Sequence, residues 1–121
     1  MRSILFKAKK LSDGKWVKGS LVKTPFGTFI EWYEDSICNK REVDTDTVCQ
    51  FTGLKDCEGN ELYEHDVIKN YPFIQSEIVW SEELSGYYLT HANGKIYEKP
   101  LGYYLSLGKF IVVGNKFDKE K

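Results

Sequence analysis

The shortages in this sequence narrow its class first. Only three cysteines, Cys38, Cys49 and Cys57, occur among 121 residues. Their number is odd, their spacing matches no zinc-ligand pattern, and no histidine pair accompanies them. This reads as a reduced, cytosolic chain rather than a disulfide scaffold. There are three prolines, too few for a proline-rich linker. No apolar run approaches the ~18 residues that span a bilayer, and the N-terminus has no apolar core of the signal-peptide kind. No Asn-x-Ser/Thr acceptor is present. Sustained helical periodicity is missing as well: no window of about 11 residues repeats its apolar positions every 3–4 residues. A net charge of −1 gives no overall attraction to nucleic acid or membrane.

Aromatic residues, at 15% of a chain that is 41% hydrophobic, are abundant, enough to fill a core in a domain of this size. Charge is abundant too, but segregated. Residues 1–23 carry seven lysines and arginines against Asp13 alone, whereas residues 53–66 carry five carboxylates against Lys55 alone. Such patches either meet each other, within or between subunits, or remain solvated faces.

In chain order the pattern is that of short strands. Ser3–Ala8 alternates, with Ile4, Phe6 and Ala8 on one side. Ser12-Asp13-Gly14 supplies a turn, and Lys15–Val22 returns, with Trp16 and Val22 apolar and Gly19 read as a bulge. Thr24-Pro25-Phe26-Gly27 is a second turn before a strand over Thr28–Tyr33. Glu34–Arg41 is polar and aperiodic and reads as a loop. Asp44–Thr47 resembles a capped helical turn. Strands are expected at Val48–Thr52, at Asp66–Tyr71 up to Pro72, at Ser76–Trp80 and at Tyr87–His91, with a loop over Gly53–Glu61. Asn93-Gly94 predicts a type I′ hairpin. Lys99–Gly108 is expected as a loop or short helical turn. Phe110–Val113 reads as a strand buried on both faces. The fold class expected is mainly β, or a β-dominated α+β fold. An N-terminal meander over 1–47 precedes a small SH3-like, closed or partly open barrel over 48–121.

Residues 43–67 carry a denser pattern: Val43-Asp44, Thr47-Val48, Gln50-Phe51-Thr52-Gly53-Leu54-Lys55-Asp56, Gly59, Glu61, Tyr63-Glu64 and Asp66-Val67-Ile68. With Met1-Arg2, Phe6-Lys7-Ala8 and Trp16 before it and Val113-Gly114-Asn115 after it, this stretch resembles the YopX family of small bacteriophage and prophage proteins. The resemblance covers nearly the whole chain. It implies a β-rich, oligomeric protein of phage type in a bacterial cytoplasm, and supplies no catalytic residue. One departure is Glu64-His65-Asp66, where the family commonly has Glu-Gly-Asp. A side chain at 65 implies that this position does not need a positive φ.

Tested for chemistry, the acidic stretch does not match a known site. Asp56, Glu58 and Asn60 sit at positions 1, 3 and 5 of a calcium loop, but Glu61 and Val67 stand where such a loop needs Gly and Glu. The bland alternative is a loop whose Asp and Asn side chains bond local N–H groups. His65 and Asp66, as neighbours on a strand, point to opposite faces. Neither a hydrolase elbow nor a phosphate-cradling loop is present. No cofactor, metal or enzymatic activity is expected. Gln50, Phe51, Thr52, Gly53, Leu54, Asp56, Gly59, Glu61, Tyr63 and Asp66 are read as structural. Arg2, Lys7, Lys9, Lys10, Lys15 and Lys18 form a possible basic contact patch. The function expected is a non-enzymatic accessory protein that forms a homo-oligomer or binds a host or phage protein. The alternative is a nucleic-acid-binding small barrel using the lysine-rich first hairpin and the late tyrosines. No membrane association is expected.

Overall fold

The computed structural model describes residues 4–70 and 74–118. Expectations that fall on Ser3, Arg2, Tyr71, Pro72 and the last three residues of the charged tail lie outside the described residues. The fold is mainly β, as the alternation implies. Its elements are β1 Phe6–Lys9, β2 Trp16–Thr24, β3 Gly27–Glu34, β4 Ile37–Glu42, a 3-10 turn Thr45–Thr47, β5 Cys49–Lys55, β6 Glu61–Tyr63, β7 Asp66–Asn70, β8 Ile74–Ser81, β9 Gly86–Leu89, α1 Leu101–Leu107 and β10 Ile111–Asn115. They form two compact units, residues 1–51 and 52–121, and the division falls inside β5.

In the first unit, antiparallel strands run in the order β4-β3-β2-β1, with the start of β5 beside β1. One face carries the core: Ala8, Ile30 and Val43 are buried, and Phe6, Val17, Leu21, Trp32 and Val48 pack around them. Gly19 keeps regular register opposite Phe6, so it is no bulge. A Cβ there would lie 2.2 Å from the Glu31 carbonyl oxygen, so close approach of β3 is what requires glycine. The turn at 44–47 forms as expected: the Asp44 carboxylate accepts the Asp46 N–H at 3.0 Å.

The segment 34–41, expected as a loop, is instead the end of β3, a two-residue turn and most of β4. The turn residues Asp35 and Ser36 both have positive φ, 54° and 66°, as a type I′ turn requires. Asp tolerates that region and Ser hides it from composition, which is why the hairpin is not legible as one. The opposite error occurs at Asn93-Gly94. Only Gly94 has positive φ, and the His91 N–H donates to Lys95 O at 2.7 Å while the Gly94 N–H donates to His91 O at 2.9 Å. The loop is therefore three residues with glycine in the left-handed position, not a type I′ turn, and it closes on a single bridge, Thr90 to Ile96.

In the second unit the end of β5 neighbours β6, and a four-stranded antiparallel sheet runs β10-β7-β8-β9. This sheet is open, with β10 and β9 at its edges, so no closed barrel forms. Leu62, Ile68, Ile78, Leu89, Leu101 and Phe110 form the core, covered by Tyr87, Tyr97, Tyr104, Leu105 and Val112. Helix α1 contributes Leu101, Tyr104 and Leu105, the i, i+3, i+4 stripe of a single helical face. Strand β10 is not buried on both faces: it is an edge strand, and a register shift between Val112 and Gly114 leaves Val113 49% exposed.

Candidate functional site

The acidic stretch is a set of backbone-bonding devices. Lys55 ends β5, and the chain must reverse before β6. The Asp56 carboxylate organises that reversal. One oxygen accepts the Glu58 and Asn60 N–H groups at 2.9 and 2.8 Å. The other accepts Asn60 Nδ2 and, from far along the chain, the Val112 N–H, both at 3.0 Å. Gly59 lies in the loop with φ 87°. Burial alone raises the Asp56 pKa, but the hydrogen bonds from Val112, Asn60 and Glu58 outweigh it, and the pKa is lowered. The local bonding inferred from Asp and Asn in the sequence is therefore present, together with the Val112 contact, which sequence spacing does not reveal.

Asp66 works in the same way one turn later. It is 1% exposed; one carboxylate oxygen accepts the Tyr63 N–H at 2.8 Å and the other accepts Asn115 Nδ2 at 2.8 Å. Tyr63 is equally buried, and its hydroxyl donates to Glu61 at 2.9 Å. Burial, then the Glu61 carboxylate, raises the Tyr63 pKa far above its ordinary range. Thr52 Oγ donates to Leu62 O at 2.8 Å, and Gly53 adopts φ 87° inside β5. Leu54 is on the surface, and Gln50 and Phe51 are half-buried in the first unit.

His65 corrects an expectation. It has φ 72°, so the Glu64-His65 turn does need the left-handed conformation, and a histidine occupies the place the family commonly gives to glycine. The turn is fastened on both sides: the His65 N–H donates to Ile78 O at 2.7 Å, and His65 O accepts the Lys116 N–H at 2.9 Å. Its ring lies 2.8 Å from Glu77 and edge-on to Phe117. His65 is thus in a turn, not on a strand. Its ring meets Glu77, while Asp66 bonds Tyr63 and Asn115, so the two do not form an acid–base pair.

The basic patch is built by cross-strand register. Lys7 lies opposite Lys18, and Lys9 opposite Trp16. The ammonium groups of Lys7 and Lys9 stand 4.7 and 5.5 Å from the Trp16 ring centre. Lys10 is paired with Asp13 at 3.2 Å, and Lys15 lies beyond in the exposed turn. Arg2 lies outside the described residues. The sequence reading missed the partners on the same face, Phe29, Tyr33 and Lys40; period-2 alternation continued across β3 and β4 is the signal that finds them. Lys40 stands 5.2 Å from the Phe29 ring. Tyr33, opposite Cys38, is 72% exposed; neighbouring Cys38 first, and then Glu31, raise its pKa.

Of the late tyrosines, Tyr88 is buried, and Tyr87, Tyr97 and Tyr104 pack against the second core, Tyr97 stacking on His91 at 4.1 Å; Tyr103 is exposed, with the Lys99 ammonium 5.7 Å from its ring centre.

A family model described as YopX protein matches residues 5–120. The chain belongs to the YopX family. A protein from Enterococcus faecalis known from its crystal structure is similar in fold, with a TM-score of 0.57 and 17% identity over 95% of this chain and 94% of that one. At that identity the likeness concerns the fold alone. No curated protein matches the sequence. Among the described residues of this YopX chain, no helix is long and apolar enough to cross a membrane, and no three His, Cys, Asp or Glu side chains gather where a metal ion could be held.

Proposed function

We propose that this YopX protein is a non-enzymatic accessory protein of phage or prophage origin, acting in the bacterial cytoplasm by assembling with further copies of itself through β4. The observation that carries this reading is the state of that strand. β4 ends the first unit's sheet, and five of its six residues are exposed. The Val43 N–H bonds Thr28 O at 2.9 Å, and this fixes the phase of the β3–β4 ladder. Ile37, Asn39 and Arg41 bond inward to β3, and Cys38 and Lys40 turn their N–H groups outward. At its far end the edge is closed by the Leu11 N–H on Glu42 O at 3.1 Å. The Ile37–Asn39 half carries no charge to block pairing. Ile37 is 65% exposed, which favours apolar contact next to a new ladder.

Opposite charge contributes less to this assembly than the sequence implies. Asp56 and Asp66 are buried and bonded inside the unit, and Glu61 is bonded to Tyr63, so only part of the acidic run faces a partner. Both oxygens of each buried carboxylate already accept hydrogen bonds from the protein's own groups, which fits a structural role for them.

Light scattering after size exclusion, across a range of concentrations, tests the proposal. The expected result is a dimer or larger species that Cys38→Pro dissociates, because proline removes an outward N–H without touching the β3 ladder. Cys38→Ser should leave assembly intact. A monomer at every concentration, or a Cys38→Pro protein that still assembles, overturns the proposal. A monomer that captures a host or phage protein through the same edge would replace self-assembly by hetero-assembly.

A further inference from the structure

We propose that the second unit carries a binding site for a small organic anion with a flat apolar body, in the cleft lined by Cys57, Lys69, Lys109 and Ile111. The site is independent of assembly through β4, whose residues all belong to the first unit.

Strand register and the Asp56 loop build this cleft. Ile68 and Val112 oppose one another and pack in the second core. Successive side chains on a strand alternate between faces, so Lys69 and Ile111, opposed one position along, stand on the outward face. Phe110 is buried in the core, and Lys109 before it is exposed. The loop supplies the remaining wall. The Asp56 carboxylate accepts the Val112 N–H at 3.0 Å, and the Cys57 N–H donates to Phe110 O at 3.1 Å. These two bonds fasten the loop along β10 and place Cys57 in the lining with Ile111.

Size, lining and charge define what fits. The cleft has a volume of about 250 Å³. A cavity of roughly 150 Å³ takes up benzene, so this one accommodates a fused pair of aromatic rings. Ile111 and the soft sulfur of Cys57 offer apolar surface to a ring. The charged members of the described lining are both lysines, with no carboxylate among them, although the loop comes from a stretch with five carboxylates against one lysine. The ammonium groups of Lys69 and Lys109 have no ion pair, hydrogen bond or ring contact among the described residues. Two like charges sharing one small cleft repel, and an anion between them turns that repulsion into attraction. A neutral ring would leave the lysines unmet, and an inorganic anion would leave the apolar surface wet. An aromatic carboxylate meets both, as ligand sites with an apolar lining and a few polar groups do.

Titration of the intact chain with naphthoate, followed through amide chemical shifts by two-dimensional NMR, tests this. The shifts should saturate, centre on Cys57, Lys69, Lys109 and Ile111, and need more ligand as salt rises. Naphthamide, the neutral counterpart, should bind about five-fold more weakly, the difference one exposed ion pair can make. Lys69→Gln with Lys109→Gln should weaken naphthoate binding by about five-fold or more and leave naphthamide binding unchanged. Both lysines are exposed, so this variant keeps the fold. Cys57 gives a second readout: bound naphthoate should slow its alkylation by iodoacetamide, while the exposed Cys38 reacts at an unaltered rate. No saturable shifts, shifts centred elsewhere, equal binding of the amide, an undiminished lysine variant, a Cys57 slowed no more than Cys38, or displacement by an equal concentration of inorganic phosphate would each overturn the proposal.

Discussion

Replacing Asp56 by alanine removes four hydrogen bonds at once, and their geometry sets the cost. The Glu58 and Asn60 donors belong to an exposed loop, and water replaces the carboxylate there at a cost of about 1 kcal/mol, like the loss of a helix N-cap. The Val112 N–H is different. It sits half-buried in β10, between strand and loop, and bonds the carboxylate at 3.0 Å. Orphaning a donor of that kind costs roughly 1–3 kcal/mol. Together the loss is about 3 kcal/mol, a large part of the ~5–15 kcal/mol that holds a domain of this size. Urea titration at neutral pH should show the midpoint fall with an unchanged slope. Hydrogen exchange should accelerate at the Val112 amide more than in β8. Acid adds a second readout. The folded pKa of Asp56 is lowered, so its contribution is complete above the unfolded value of about 3.9 and disappears as pH falls through the folded one. The wild-type protein should lose stability across that acid range more steeply than Asp56→Ala. A variant within about 1 kcal/mol of wild type, with Val112 still protected, would refute the claim that this carboxylate joins loop to strand.

Three further substitutions probe single mechanisms. Tyr63→Ala should cost about 3–4 kcal/mol by leaving a core cavity, whereas Tyr63→Phe, which loses only the bond to Glu61, should cost about 1 kcal/mol; equal effects in chemical denaturation would contradict the burial argument. Gly19→Ala drives a Cβ against backbone 2.2 Å away, so a loss of at least ~2 kcal/mol is expected, and an unchanged urea midpoint would mean β2 and β3 can separate freely. Asp35→Asn with Ser36→Gly places residues suited to positive φ in the β3–β4 turn and should add about 1 kcal/mol, or roughly 4 °C in melting temperature; a lower melting temperature would show that the turn is not of the I′ type.

The motif that identifies the family is largely a set of solutions to backbone problems. Asp56 closes one reversal and Asp66 the next. Asn115 ties the second to the edge strand: it donates to Asp66 and accepts the Phe117 N–H at 2.9 Å. Carboxylates recur because an ionised oxygen accepts two N–H groups more strongly than any neutral side chain. That accounts for an acidic run without metal spacing or an acid–base pair.

The sequence alone determined what local chemistry controls. Alternation in Phe6–Ala8 and Thr28–Tyr33, the capped turn at Asp44, and the absence of helical periodicity all pointed to a mainly β chain, and the 43–67 pattern pointed to the family. Tertiary structure decided the rest. Asp35-Ser36 and His65 adopt positive φ because the strands and bonds around them hold them there, at a local cost no propensity scale predicts. Asn93-Gly94, the strongest local turn signal, made a different turn because its flanks pair through one bridge only. Val113 looked buried by composition and is exposed because β10 took an edge. The acidic run looked like a site until Val112 and Asn115, each about 50 residues away from their carboxylate partners in sequence, supplied the donors that saturate it. The lysine–aromatic face likewise exists only through register: four strands placed Trp16, Phe29 and Tyr33 on one side. Residue type sets what each side chain can bond, and the pairing of strands sets what it meets.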